Sequence, residues 1–253
     1  MTLKSVWQES FRVKSYETDK DKSLKLHVLF YYLQECAWNH ANHLQIGYQE
    51  LIQQDLIWVL SKIKINMEQY PVWEDEVTVT TWPKSWDSLF AIRDFEITNS
   101  RGQRIGGATS AWLMVNIKKR RPQKIDHWKD SIPLNKKHGL NEELPKINAG
   151  NSPVYEEIRK VYPHEIDLHH HVNNAEYIKW ITDLIGRHFE DKKAVEAIQI
   201  NFQNEIFDRE EITMGLDKMP DGSDNYYLHC TNRDCNKLGF NATVSLKNKY
   251  LPT

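Results

Sequence analysis

The sequence predicts an α+β fold of two tandem units, each a long helix against an antiparallel sheet, and three observations lead there. Two stretches carry apolar residues three or four apart, the spacing that gives a helix one buried face. Each is followed by runs rich in β-branched and aromatic residues, broken by polar or glycine-containing turns. Finally, part of one half reappears in the other: "IKINMEQYPVWEDEVTV", from Ile63, aligns without gaps on "IQINFQNEIFDREEITM", from Ile198. The Ile-x-Ile-Asn core repeats, Val77 and Val79 fall on Ile212 and Met214, and internal duplication is the simplest account.

Taken in order, the first helix begins at Leu26 and buries Leu26, Leu29, Phe30, Leu33, Ala37, Ala41 and Leu44. Four strands follow, "IWVLSKIKINM", "DEVTVTTW", "SLFAIRDFEIT" and "IGGATSAWLMVNI". The segment "DHWKDSIPLNKKHGLNEELPKINAGNSP" has scattered Pro, Gly, Asn and charge with little periodicity, the composition of a linker. Beyond it come a strand-like "YEEIRKVY", a helix with Tyr177, Ile178, Ile181, Leu184 and Ile185 on one face, and four more strand candidates. The expected division is a first unit over 1–128, a linker over 129–150 and a second unit over 151–253.

Composition narrows the function. Lys and Arg number 33 against 35 Asp and Glu, so the balance of charge gives no case for a nucleic-acid protein. Cys36, Cys230 and Cys235 are sparse, odd in number and without C-x-x-C spacing, which argues against a disulfide framework or a structural zinc. The amino terminus has no apolar signal core, and no run approaches the ~20 apolar residues of a membrane span. The expectation is a soluble cytoplasmic protein, with the tripeptide "NAT" at Asn241 a chance match.

Chemistry concentrates in "DLHHHVNN", residues 167–174. Read as extended chain, it places Asp167, His169 and His171 on one side and Leu168 and His170 on the other. Asn173 and Asn174 are residue types that start helices. The unsatisfied N–H groups of a helix start favour negative charge, so an oxyanion could be held there, with His171 at its mouth. Two His and one carboxylate could also bind a divalent metal, a rival reading of the same three side chains.

The longer stretch "EIDLHHHVNNAEYIKWITD" resembles the motif of the acyl-acyl-carrier-protein thioesterases, Asp-x-Asn-x-His-Val-Asn-Asn followed by a Tyr and a Trp. Asp167, His171, Val172, Asn173, Asn174, Tyr177 and Trp180 match it, while His169 stands where the family usually has Asn. Further stretches are similar to the same family, in its order: "SYE", "LQE" with "NHA", "LIWVLSKIKINMEQYP", "RDFEI" and "SAWLMVNIKKRRPQKI". The resemblance implies a double hotdog, each long helix wrapped by an antiparallel sheet.

It also implies roles. The family's Glu, in the strand after the second helix, matches Glu205 of "FQNEI", and Ile206 replaces the Cys that follows it. Ile206 has no thiol, so water is the expected nucleophile and Glu205 its general base. Asp167, His169 and His171 are the expected partners of Glu205, with His169 either replacing the Asn contact or titrating in the working range. Backbone N–H groups at Val172, Asn173 and Asn174 are the expected oxyanion donors. Neither a metal nor an organic cofactor is expected. The substrate implied is fatty acyl-acyl carrier protein (acyl-ACP), hydrolysed to the free acid; rivals are an acyl-coenzyme A hydrolase and a non-catalytic acyl binder.

The carrier is acidic, so Lys118, Lys119, Arg120, Arg121 and Lys124 are its candidate docking patch, with Lys136 and Lys137 competing and a solvated turn as the plain alternative. In the first helix "KLHVLFYY" is expected to set Leu29 and Phe30 where the second half has Asn173 and Asn174, leaving one site per chain. The first half is then wall for the acyl chain, with Trp38, Trp58, Leu60 and Met67 either lining it or filling ordinary core. A monomer or a homodimer is compatible with this arrangement.

Overall fold

The computed structural model describes residues 3–87, 89–125, 131–141, 144–147, 153–189, 193–219 and 224–249. The chain forms two compact units, Met1–Leu144 and Pro145–Thr253. In the first, strand β1 (Trp7–Arg12) and a 3-10 turn (Ser15–Glu17) lead into helix α1 (Leu26–His43) and a short α2 (Tyr48–Ile52). Strands β2 (Leu56–Met67), β3 (Glu76–Trp86), β4 (Phe90–Asn99), β5 (Arg104–Asn116) and β6 (Arg121–Gln123) follow. They form an antiparallel sheet in the order β1-β3-β4-β5-β2, with β6 on the end of β5.

The second unit repeats the plan. Strand β7 (Tyr155–Lys160) and a 3-10 turn (Pro163–Glu165) precede helix α3 (Asn174–His188). Strands β8 (Lys193–Phe202), β9 (Glu211–Lys218), β10 (Asn225–Asn232) and β11 (Leu238–Asn248) are antiparallel in the order β7-β9-β10-β11-β8. Each unit is thus a hotdog, one helix against a sheet of the same strand order, and the chain is a double hotdog.

Each helix is held by the stripe its sequence spacing announces. On α3, Ile178, Ile181 and Leu184 are fully buried, each contributing about 2 kcal/mol by removal from water. Tyr177 packs edge-on against Phe202 of β8 and Phe240 of β11, at 5.5 and 5.3 Å between ring centres. On α1, Leu29, Leu33 and Cys36 face the sheet, and the Cys36 thiol donates to the Val79 carbonyl of β3 at 3.5 Å. Cys36 and Cys230 are buried and free, and Cys235 is exposed and free. Among the described residues no helix is long and apolar enough to cross a membrane.

Residues 131–141 of the segment with a linker's composition are tied to the first unit, while the Pro145 carbonyl accepts from Gln199 Nε2 of the second at 2.7 Å. Trp82 Nε1 donates to the Lys137 carbonyl, the Asn135 N–H to the Pro83 carbonyl and the Gly139 N–H to Asp94 Oδ2, at 2.8–2.9 Å. Gly139 lies so close to the sheet that a Cβ there would stand 2.6 Å from the Phe95 carbonyl oxygen, so only glycine fits. Its irregular backbone finds partners in the edges and side chains of β3, β4 and β5 instead of in itself.

Candidate active site

Residues 167–171 are a tight turn, which corrects the extended reading. An antiparallel bridge between Ile166 and Val172 closes its base. The Asp167 N–H donates to the His171 carbonyl at 2.9 Å and the His170 N–H to the Asp167 carbonyl at 3.0 Å. His170 has φ +67°, the left-handed region that costs a non-glycine residue about 1 kcal/mol or more. An Asp side chain offsets that cost by turning back on its own backbone, as Asp167 Oδ1 does in accepting the His169 N–H at 2.8 Å.

The grouping expected from strand alternation therefore arises by another route. Asp167, His169 and His171 are half-buried, while Leu168 and His170 are exposed. The His169 and His171 rings stack at 5.8 Å, and His171 Nδ1 stands 3.7 Å from Asp167 Oδ1 and 3.3 Å from the Val172 carbonyl. Burial is the main cause that pushes the His169 imidazole below its ordinary pKa, joined by repulsion from His171 and His170 and opposed by Asp167. A neutral ring offers one donor and one acceptor, a single contact of each kind that an Asn amide can make. Among the described residues no three His, Cys, Asp or Glu side chains converge as a metal ion would require.

Glu205 arrives from the other side, and not from a strand: β8 ends at Phe202 and Glu205 sits three residues on, in the loop to β9. That loop is pinned on both flanks. The Gln203 N–H and Asn204 Nδ2 donate to the Gly239 and Leu238 carbonyls, and the Phe207 N–H donates to Glu210 Oε2, all at 2.9 Å. Between these pins the buried Ile206 offers its carbonyl to the Val172 N–H at 2.8 Å, which joins the Glu205 loop to the foot of the histidine turn. The Glu205 side chain is exposed. Burial is the main cause that pushes the Tyr177 phenol up, joined by Cys230, Asp167 and Glu205 and opposed by a backbone hydrogen bond from Ile206.

The helix start departs from expectation. Asn173 is the N-cap of α3, its side chain accepting the Ala175 N–H at 2.9 Å. The Val172 N–H is spent on Ile206, and the Asn173 N–H donates to the Glu165 carbonyl at 2.9 Å. Two of the three expected oxyanion donors are therefore already engaged. The remaining one is the Asn174 N–H, for which no acceptor stands among the described residues.

Glu165, unmarked by the sequence reading, underlies the site. It is 2% exposed; its carboxylate bonds Arg159 Nη2, accepts from Trp180 Nε1 at 2.8 Å and from the Tyr162 N–H at 2.8 Å. The Arg159 guanidinium lies over the Trp180 ring at 4.2 Å. The signal that could have found it is Trp180 itself, whose N–H needs an acceptor once the ring is buried.

The first unit holds the same backbone with other side chains. The Asp19 N–H donates to the Ser23 carbonyl, Asp19 Oδ1 accepts from the Asp21 N–H, Lys22 has φ +64°, and the Leu24 N–H donates to the Pro71 carbonyl. Asp19, Asp21, Ser23 and Tyr70 thus occupy the places of Asp167, His169, His171 and Glu205. Lys25 and Leu26 begin α1 where Asn173 and Asn174 begin α3, which corrects the register that set Leu29 and Phe30 there. In two of the other motif stretches, "RDFEI" and "NHA", Arg93, Asp94 and His40 are buried framework: Arg93 bonds His40 Nδ1 and Thr81 Oγ1, and Asp94 pairs with Lys84 at 2.9 Å.

Lys118, Lys119, Arg120, Arg121 and Lys124 are exposed on the β5–β6 hairpin, where Lys118 pairs with Asp55 at 2.7 Å. Lys136 is exposed, and Lys137 reaches Glu96 at 2.8 Å. Leu60 and Met67 are core; Trp58 is half-buried with its N–H on the Ile46 carbonyl, and Trp38 is partly exposed against Tyr48.

Comparison with known proteins places this geometry. Family models for the acyl-ACP thioesterase N-terminal and C-terminal domains match residues 4–129 and 154–240. A chloroplastic acyl-[acyl-carrier-protein] hydrolase of Cuphea viscosissima is 28% identical over 240 residues, covering 87% of this chain. Oleoyl-acyl carrier protein thioesterase 1 of Arabidopsis thaliana is 29% identical over 219 residues, covering 79%. The chain spans 57% and 60% of the lengths of these two relatives. Among solved structures, an acyl-ACP thioesterase from Bacteroides thetaiotaomicron superposes with a TM-score of 0.86 at 22% identity, covering 96% of this chain and 98% of its own. The 12:0-ACP thioesterase from Umbellularia californica gives 0.85 at 21% identity, with 97% and 98% covered. At these identities the likeness establishes the fold.

Proposed function

We propose, from the premise that the chain belongs to the acyl-ACP thioesterase family, that it hydrolyses the thioester of a fatty acyl-ACP and releases the free fatty acid, ending chain extension. The observation that carries the reading is the hydrogen bond from the Val172 N–H to the Ile206 carbonyl, which brings the Glu205 loop to the turn of Asp167, His169 and His171.

In this reading Glu205 removes a proton from water as it attacks the thioester carbon. Its exposure suits that task, since the water must reach it. Asp167 fixes the turn and, with His171, orients the reacting groups. Neutral His169 supplies the donor and acceptor that the family's Asn provides. The Asn174 N–H, at the positive end of α3, stabilises the oxyanion in place of the Val172 and Asn173 groups. The leaving thiolate needs little acid help, because a free thiol has a pKa of about 8.5. Hydrolysis in this scheme is carried by the chain's own residues.

The exposed cations at Lys118, Lys119, Arg120, Arg121 and Lys124 receive the acidic carrier, and the first unit accommodates the acyl chain. The test is steady-state hydrolysis of one acyl chain on carrier protein and on coenzyme A, across chain lengths and with a chelator present. Chelator-resistant turnover that is faster on carrier protein supports the reading. Turnover on coenzyme A alone assigns the other carrier, and none on either leaves an acyl binder.

A further inference from the structure

We infer that the pair of half-buried Arg159 and buried Glu165, capped by Trp180, positions the catalytic turn; Arg159 and Glu165 are positioning residues that touch no reacting atom. The inference rests on the hydrolytic reading of Asp167, His171 and Glu205.

One residue joins four parts of the second unit. Through Oε1, Glu165 meets Arg159 of β7 and the Trp180 N–H of α3. Through Oε2 it accepts from the Tyr162 N–H at the 3-10 turn, and its backbone carbonyl accepts from the Asn173 N–H at the helix cap. The neighbouring Asn174 N–H and the turn two residues downstream of Glu165 are thereby set relative to α3. A shift of about 1 Å in such a constellation costs roughly a hundredfold in rate.

The first unit shows what framework alone requires. Glu17 does the same work there, accepting from the Lys14 N–H and from Tyr32 Oη at 2.8 and 2.7 Å, with its carbonyl on the Lys25 N–H. Among the described residues no cation joins its carboxylate: Phe11 stacks on Tyr32 at 4.3 Å where Arg159 lies over Trp180. A neutral stack therefore suffices to build this corner of a hotdog. The second unit has instead an ion pair whose carboxylate is buried and whose guanidinium is half-buried, and among the described residues Arg159 Nε is enclosed without an acceptor. A pair that desolvates its carboxylate and leaves an enclosed donor unsatisfied is a poor route to stability. Its presence beside the catalytic turn, and its absence beside the other, assign it to fixing geometry.

The experiment installs the first unit's solution in the second. The double variant Arg159→Phe with Trp180→Tyr should keep a thermal midpoint near that of the wild type. It should lose at least roughly tenfold in kcat with KM for acyl-ACP unchanged within about twofold. Amide exchange at Asn173 and Asn174 should quicken, and Arg159→Lys should recover part of kcat. Unchanged kcat with unchanged exchange would overturn the inference and leave a framework pair. Should the double variant fail to fold, Glu165→Gln puts the same two readouts to the question. If the wild type turns over no thioester, the hydrolytic reading fails; exchange at Asn173 and Asn174 then decides the positioning claim by itself.

Discussion

The turns at 19–23 and 167–171 share a backbone and differ in chemistry. Both are closed by the same ladder of hydrogen bonds, both place a non-glycine residue at positive φ, and both use an Asp side chain to accept the N–H two residues on. What separates them is two histidines against Asp21 and Ser23, and a glutamate against Tyr70. The turn is thus a property of the repeated framework, which holds either set of side chains, and in the proposed mechanism the second set carries the function. In the first turn Asp19 keeps a structural task, through its hydrogen bonds to the Asp21 and Ser23 N–H groups, both at 2.9 Å.

The strongest way to break the comparison is to make the turns alike. Giving the second turn the first one's side chains, His169→Asp with His171→Ser, should lower kcat by roughly a hundredfold or more while the fold survives. Loss of the folded state, read by circular dichroism, would mean that the histidines support the backbone after all. A smaller effect lies at the helix starts. Asn173 caps α3 through its side chain and Lys25 makes no side-chain cap of α1. Asn173→Ala should therefore cost about 1 kcal/mol in chemical denaturation and Lys25→Ala only a few tenths. Equal losses would show that the two starts are held alike.

The smallest expected effect concerns pH. His169 is depressed below its ordinary value, so it is neutral at pH 7 and takes up a proton only on the acid side of the range for a free imidazole. Activity that needs the neutral ring is complete at higher pH and falls as pH drops through the lowered value. His169→Asn, with nothing to protonate, should match the wild type near pH 8 and exceed it a few-fold at the acid end of the kcat/KM profile. Parallel acid limbs for the two proteins would assign that limb to another group.

Most of the framework was legible because it is periodic. The stripes of α1 and α3 and the Ile-x-Ile-Asn repeat of β2 and β8 each announce a buried face through spacing. The parts that were not legible are aperiodic. Alternation put Asp167, His169 and His171 together for the wrong reason, since a turn with His170 at positive φ leaves no mark in spacing. Glu205 was singled out by resemblance and expected in a strand, but its place in a loop depends on the Gln203 and Asn204 bonds to β11, which a linear reading does not contain. The oxyanion donors were misjudged because engagement of the Val172 and Asn173 N–H groups is a tertiary matter. Gly139 and the segment around it read as a linker because irregular backbone bonded to a sheet has the composition of one bonded to water.

The central claim is that catalysis resides where Glu205 meets the second turn and nowhere in the first. It is tested most directly by the rate of hydrolysis of one acyl-ACP by Glu205→Gln and by Tyr70→Phe, each beside the wild type. Loss of roughly a hundredfold to ten-thousandfold in kcat for Glu205→Gln, the range for removal of a general base, with Tyr70→Phe within about twofold, is the predicted result. Full turnover by Glu205→Gln, or its collapse in Tyr70→Phe, would contradict it.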